Sequence, residues 1–199
     1  RQEVEYEKTF TPVTKLPQPS IVDVKVAIDL YPHQLKFTTT GSYLLKNETQ
    51  GPISDIYAES PWYLHYSAFA IDGGTLKQSW PKHNVQLYHL TTAMQPGETR
   101  TLHFTGQVQQ KGFGNNGITA NVVDNGTFIN NGSFAPSIGI RNVQAMTDKS
   151  LRRKYKLPPL ERMKKLEDPT ANARNYIGAD WTTSDITVST VADQTPIAP

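Results

Sequence analysis

The sequence predicts an antiparallel β fold, a β-sandwich or an open saddle-shaped sheet, with a short helical insertion near its C-terminal end. Three observations carry this. Val22, Val24, Val26, Ile28 and Leu30 alternate with Asp23, Lys25 and Asp29, and a period of two places alternate side chains on one buried face of a strand. The 13 glycines and 14 prolines fall mostly between short apolar runs, where turns need them. Only the stretch after Thr147 has helical composition.

Taken in order, residues 1–19 carry Pro12, Pro17 and Pro19 and read as an extended arm or linker, leaving 20–199 as the β-domain. The strand at 22–30 meets the turn "YPHQ", and alternation resumes through Leu35, Phe37, Thr39, Tyr43 and Leu45, which makes a hairpin. Short strands follow at 53–58, 63–71, 75–80 and 85–90, separated by "NETQGP", "DGG" and "PKHN". After "MQPGE", the stretch "TRTLHFTGQV" should point Leu102, Phe104 and Val108 inward. In "VVDNGTFINNGSFAP", 122–136, the Asn-Gly pairs favour tight turns with positive φ. The segment reads either as a hairpin with elaborate turns or as a loop edge built to approach another surface. Helix is expected within 147–167, with Thr147 as N-cap, Asp148 in the first turn and Pro158 or Pro159 opening a second helix. Ile186 and Val188 return to the strand pattern.

Composition bounds function only loosely. A chain of 199 residues can bury a substantial core. The net charge of +2 selects no partner, and the absence of cysteine removes disulfides, thiolate metal sites and thiol nucleophiles. No run of about 18 apolar residues occurs. The eight Lys and Arg within 149–165 read as a solvated helix face rather than a nucleic-acid contact, since no recognised binding motif accompanies them. H-E-x-x-H, G-x-x-x-x-G-K-[ST], G-x-S-x-G and EF-hand loops are absent. His33, His65, His83, His89 and His103 show no helical ligand spacing, although His89 and His103 could face each other across strands. Asp72, Asp124, Asp148, Glu161, Asp168 and Asp180 are scattered through turns and helix ends. Trp62, Tyr63, Tyr66, Trp80 and Tyr88 divide between core and a conceivable stacking platform. Asn47, Asn125 and Asn131 each begin an N-glycosylation tripeptide, a pattern too common to imply a glycan.

"LPQPSIVDVKVAIDLYPHQLKFTTTGSYLLKN", "TTAMQPGETRTLHF", "VVDNGTFINNGSFAPSIGI" and "STVADQTPIAP", in this order and spacing, resemble the N-terminal β-domain of aminopeptidase N-like zinc metallopeptidases. The resemblance is strongest to the bacterial branch in which the peptidase-like region is fused to an ABC-transporter permease, and it covers nearly all of 17–199. Ile140 stands where the family pattern suggests tyrosine. The resemblance implies a non-catalytic domain that packs against a downstream peptidase domain of the same parent chain and shapes its substrate entrance. The start on Arg1 and the bare end after a strand then read as excision from that parent. Zinc is expected in the missing catalytic domain and none in this chain. The parent would act on peptides and be membrane-associated and extracytoplasmic, with the fragment itself soluble and no nucleic acid involved. The family takes a contribution to amine recognition from the region corresponding to about 130–144. Asn130, Asn131, Gly132 and Gly139 are accordingly the substrate-entrance candidates, and no catalytic residue is carried over. A free-standing sandwich binding carbohydrate or protein is the alternative, and an independent hydrolase with paired carboxylates a third.

Overall fold

The computed structural model describes residues 2–110, 122–140, 145–160, 164, 165, 167–169 and 181–197. Their architecture is mainly β, two sheets packed face to face. The strands are β1 (Ser20–Tyr31), β2 (Lys36–Lys46), β3 (Ile53–Glu59), β4 (His65–Ile71), β5 (Gly74–Trp80), β6 (Val85–Met94), β7 (Thr99–Gln109), β8 (Ser137–Ile138) and β9 (Thr183–Ser189). One sheet runs β4-β7-β2-β1-β9 and the other β5-β6-β3-β8. The expected β1–β2 hairpin is present, with Val26 opposite Gly41 and Ile28 opposite Thr39. All described pairings are antiparallel except β9, which runs parallel to β1 and sets Ile186 beside Val26 and Val188 beside Ile28.

The alternation read from the sequence is what fills the space between the sheets. Phe37, Tyr43, Leu45, Leu102, Phe104 and Val108 from one sheet meet Ile53, Ile56, Tyr88, Leu90 and Met94 from the other. The inward row of β2 passes through Gly41, where a Cβ would stand 2.7 Å from Phe104 Cζ and 2.8 Å from the Lys25 carbonyl oxygen. The adjacent aromatic ring therefore requires a residue without a side chain. Asn47 closes the turn after β2. It is fully buried, donating from Nδ2 to the carbonyls of Gly51 at 2.8 Å and Met94 at 2.7 Å. Both amide protons are thus engaged inside the protein, so the tripeptide beginning at Asn47 offers no nitrogen to a glycan in the folded state.

Residues 2–10 are not an extended arm. They form α1 (Gln2–Phe10), followed by a 3-10 turn over Thr11–Lys15. The cause lies on the outer face of the smaller sheet. Tyr57, Val85 and Leu87 point away from the main core and form a second apolar cluster with Tyr6, Phe10 and Ile140. An apolar sheet face must be covered, and α1 covers it: the Phe10 ring lies 4.8 Å from Tyr6, 5.2 Å from Trp80 and 5.7 Å from His83. Gln18 then seals the edge of β3, donating to the Asp55 carbonyl at 2.9 Å and accepting from the Tyr57 amide at 2.8 Å.

Helix in the 147–167 region is shorter than expected. It comprises α3 (Lys149–Lys154), whose N-cap is Asp148 rather than Thr147, the Asp148 carboxylate accepting from the Leu151 amide at 2.8 Å. Residues 158–160, where a second helix should open, are not helical, and 161–163 and 166 lie outside the described residues. The basic stretch is not solvated throughout, because Arg152 is buried and paired with buried Glu7 of α1. Its Nη2 reaches Glu7 Oε1 at 2.6 Å and its Nη1 reaches Oε2 at 2.8 Å, while Nη1 and Nε also donate to the carbonyls of Met146 and Pro158. The bidentate pair fastens α1 to 146–158. Among the described residues no helix is long and apolar enough to cross a membrane.

Candidate functional site

The two sheets do not match in width on the side of β1 and β9. The larger sheet carries these two strands across the sandwich, but the smaller one ends at β8, which is only two residues long. The side chains of Ile28, Leu30, Ile186 and Val188 floor a groove of about 580 Å³, and among the described residues no strand of the smaller sheet lines it. Residues 125–129 and Phe134 form one wall and residues 194–197 the other. Its lining contains no charged side chain, and the polar members are Asn125, Thr127, Thr190, Gln194 and Thr195. The hydroxyls of Thr127 and Thr190 are buried and make no hydrogen bond. Two apolar side chains stand out at the rim in water, Phe128 at 85% exposure and Ile197 at 95%. The volume suits a small molecule or a few side chains of a partner.

The wall from 122 to 140 is neither hairpin nor simple loop. Val122 is buried, 126–130 carry no regular structure, and α2 (Asn131–Phe134) is a single short turn of helix. Ser133 binds back to Asn130, its amide to the Asn130 carbonyl and its hydroxyl to Asn130 Oδ1, both at 2.9 Å. Phe134 and Ala135 bury themselves, and Tyr43 holds the chain just beyond them by donating to the Pro136 carbonyl at 3.1 Å. The Tyr43 hydroxyl titrates above the usual phenol range because it is buried. Ser137 and Ile138 pair with Glu59 and Ala58, and the Gly139 amide donates to the Tyr57 carbonyl at 2.7 Å.

The four residues singled out in the sequence fall beside the groove, not in its lining. Asn130 is exposed and precedes α2, and Asn131 and Gly132 lie in α2. A Cβ at Gly132 would find only Asn130 Oδ1, at 3.6 Å. Neither Gly126 nor Gly132 has positive φ, contrary to the Asn-Gly expectation, because α2 takes up the second pair in helical geometry. Gly139 does have positive φ, at 79°, and is buried. The glycine requirement in this segment thus sits at the end of β8.

Other candidates separate in space. His89 belongs to the smaller sheet, where Nδ1 meets Asp55 Oδ1 at 2.7 Å, whereas His103 is on the larger sheet opposite Ser42 and Ala70. Tyr88 is buried and stacks on Phe69, while Trp62 is half-exposed and meets Tyr63 edge-on, so the aromatic residues form no continuous platform. Asp180 and Glu161 lie outside the described residues. Among the described residues no three His, Asp or Glu side chains converge as a metal site.

One arrangement was invisible in the sequence. His33, in the turn after β1, lies between two aspartates at the end of the groove. Its Nδ1 is 2.5 Å from Asp124 Oδ1 and its Nε2 is 3.2 Å from Asp193 Oδ2. The carboxylates occupy opposite sides of the ring, so they cannot converge on one ion. The hydrogen bond to Asp124, then the negative charge of Asp193, raise the imidazole pKa above its ordinary 6.5. His33 and Asp124 are 91 positions apart and Asp193 is farther still along the chain, so no spacing rule connects them.

No family model matches the chain, and no curated protein matches it. Among solved structures it is similar to an M1 zinc metallopeptidase from Deinococcus radiodurans, at 14% identity and a TM-score of 0.38, over 47% of this chain and 21% of that one. A mutant two-domain M1 zinc metallopeptidase bound to L-tryptophan is similar to the same extent. Another, bound to L-arginine, has 15% identity and a TM-score of 0.38, covering 49% of this chain and 22% of that one. The aligned part thus spans about a fifth of the length of the structures it matches.

Proposed function

We propose that the chain is a non-catalytic docking domain of a longer aminopeptidase-like protein, packing through the groove against the peptidase domain that follows it. The observation that carries this reading is the groove itself: apolar floor, uncharged lining, and Phe128 and Ile197 standing in water at its rim. Residues 194–197 form one wall, so a polypeptide continuing beyond them starts at the site it would occupy and has a high effective concentration there. A contact between domains of one chain buries about 600–1,500 Å², which the groove and its two projecting side chains can anchor. The order and spacing of the sequence motifs support the aminopeptidase assignment, and with it a parent fused to a transporter permease, zinc held in the following domain, and peptide as the parent's substrate. In this parent the segment 122–140 stands at the junction between the domains, where it can narrow the substrate entrance.

The test has two parts. The coding sequence beyond residue 199 should contain H-E-x-x-H within about 150 residues, since a zinc peptidase needs its ligand pair on one helix. A stop codon there returns the chain to a free-standing binding module. The following domain, produced separately, should bind this chain, and Phe128→Ser should weaken that binding by about 10-fold or more, as expected for one lost apolar anchor. Equal affinity of the two chains overturns the groove as the docking surface.

A further inference from the structure

We propose that protonated His33 latches both walls of the groove to its floor, so that docking there is favoured in acid and weakens as pH rises. This rests on the docking function proposed for the groove. His33 sits at the end of β1, the strand that supplies Ile28 and Leu30 to the floor. Asp124 immediately precedes one wall, 125–129, and Asp193 immediately precedes the other, 194–197. One imidazole therefore joins three pieces of chain that are remote in sequence.

The chemistry requires a proton. An imidazolium donates from both ring nitrogens, whereas a neutral ring donates from one and turns a lone pair toward the other partner. Two carboxylates on opposite nitrogens are satisfied together only by the charged form. Loss of the proton sets a lone pair against one aspartate and releases that wall. Among the described residues, the charged groups facing the ring are Asp124, from the segment after β7, and Asp193, from the C-terminal turn. Lys36 on β2 lies over the Tyr31 ring at 5.2 Å instead. The Gln194 side chain donates to the Asp124 carbonyl at 2.7 Å, a proton-independent tie that keeps the walls near each other when the latch opens.

The sign follows from the raised pKa. The latch is complete below the ordinary histidine value of 6.5 and is lost as pH rises through the higher value in the folded protein. The ring is half-exposed, so solvent screens the pair and the effect falls on local order, not on global folding. Walls already held in place lower the ordering cost of docking.

The test uses the chain alone, followed by amide and imidazole NMR from pH 5.5 to 8.5. His33 should titrate above 6.5, and the amides of 125–129 and 194–197 should shift with that same midpoint. In Asp193→Asn the midpoint should fall, and 194–197 should no longer follow it while 125–129 still do. His33→Gln should abolish the shared transition while amides of β2 and β7 stay in place; if this variant does not fold, the aspartate variant decides. A His33 midpoint at or below 6.5, or walls that do not move with it, overturns the latch. The docking function fails separately, if the following domain does not bind at any pH.

Discussion

Truncating Phe10 to alanine should destabilise the chain severely, although the residue lies in a proline-bounded segment that resembles a linker. Phe10 is 1% exposed, in contact with the rings of Tyr6, Trp80 and His83. Removing a fully buried phenylalanine side chain costs about 3–5 kcal/mol, the lost transfer energy plus the cavity left behind. In a domain of this size each kcal/mol lowers Tm by about 2–4 °C, so Phe10→Ala should lower it by about 6–20 °C. The cavity would lie against Trp80, so tryptophan fluorescence during urea unfolding reports the site directly, with circular dichroism as the second probe. Coincident transitions at a lower midpoint with unchanged slope are expected. A loss below about 0.5 kcal/mol, the size of an ordinary surface substitution, would refute the integral role of α1 and restore the linker.

Arg152→Met should cost about 3–5 kcal/mol by leaving the Glu7 carboxylate buried without its partner, and adding Glu7→Leu should recover most of the loss in the same urea titration. Gly41→Ala should destabilise by about 1–3 kcal/mol through overpacking against Phe104, and a neutral result would show that the β1–β2 hairpin can move aside. Phe134→Ala in the groove wall should lower stability by about 3–5 kcal/mol, whereas Phe128→Ser at the rim should change it by less than about 0.5 kcal/mol. Thermal melts of the two variants would separate a wall that belongs to the core from a rim that does not.

The strands were legible wherever one face is buried and the other wet. The pattern of Phe37, Tyr43 and Leu45, like that of Leu102, Phe104 and Val108, reappears as the filling between the sheets. The strand at 137–138 gives no such signal because two residues show no period, and it pairs with β3 from about 80 positions away. The parallel union of β9 with β1 spans about 160 residues, and nothing local in "TSDITVS" distinguishes parallel from antiparallel pairing. α1 did carry a signal, Tyr6 and Phe10 one helical turn apart, with Val4 beside them. The prolines at 12, 17 and 19 point the other way, although each lies beyond the end of the helix. The Asn-Gly pairs misled because a turn preference is local, whereas the burial of Phe134 and Ala135 draws the second pair into helix.

The groove was partly foreseeable and partly not. One reading of 122–136 is a loop edge built to approach another surface, and residues 125–129 and Phe134 of that segment line the groove. Its shape is set by the unequal width of two sheets, a property of the topology that no single segment contains. The same is true of the His33 clamp, whose members are ordinary turn residues until the fold brings them together.

Hydrogen exchange at the groove tests the central claim most directly, comparing this chain alone with the proposed longer protein at one pH. The docking account predicts that amides of 125–129 and 194–197 exchange more slowly in the longer protein, while those on the far edge along β4 and β5 exchange alike in both. Equal exchange at the groove, or protection confined to the β4 and β5 edge, would contradict it.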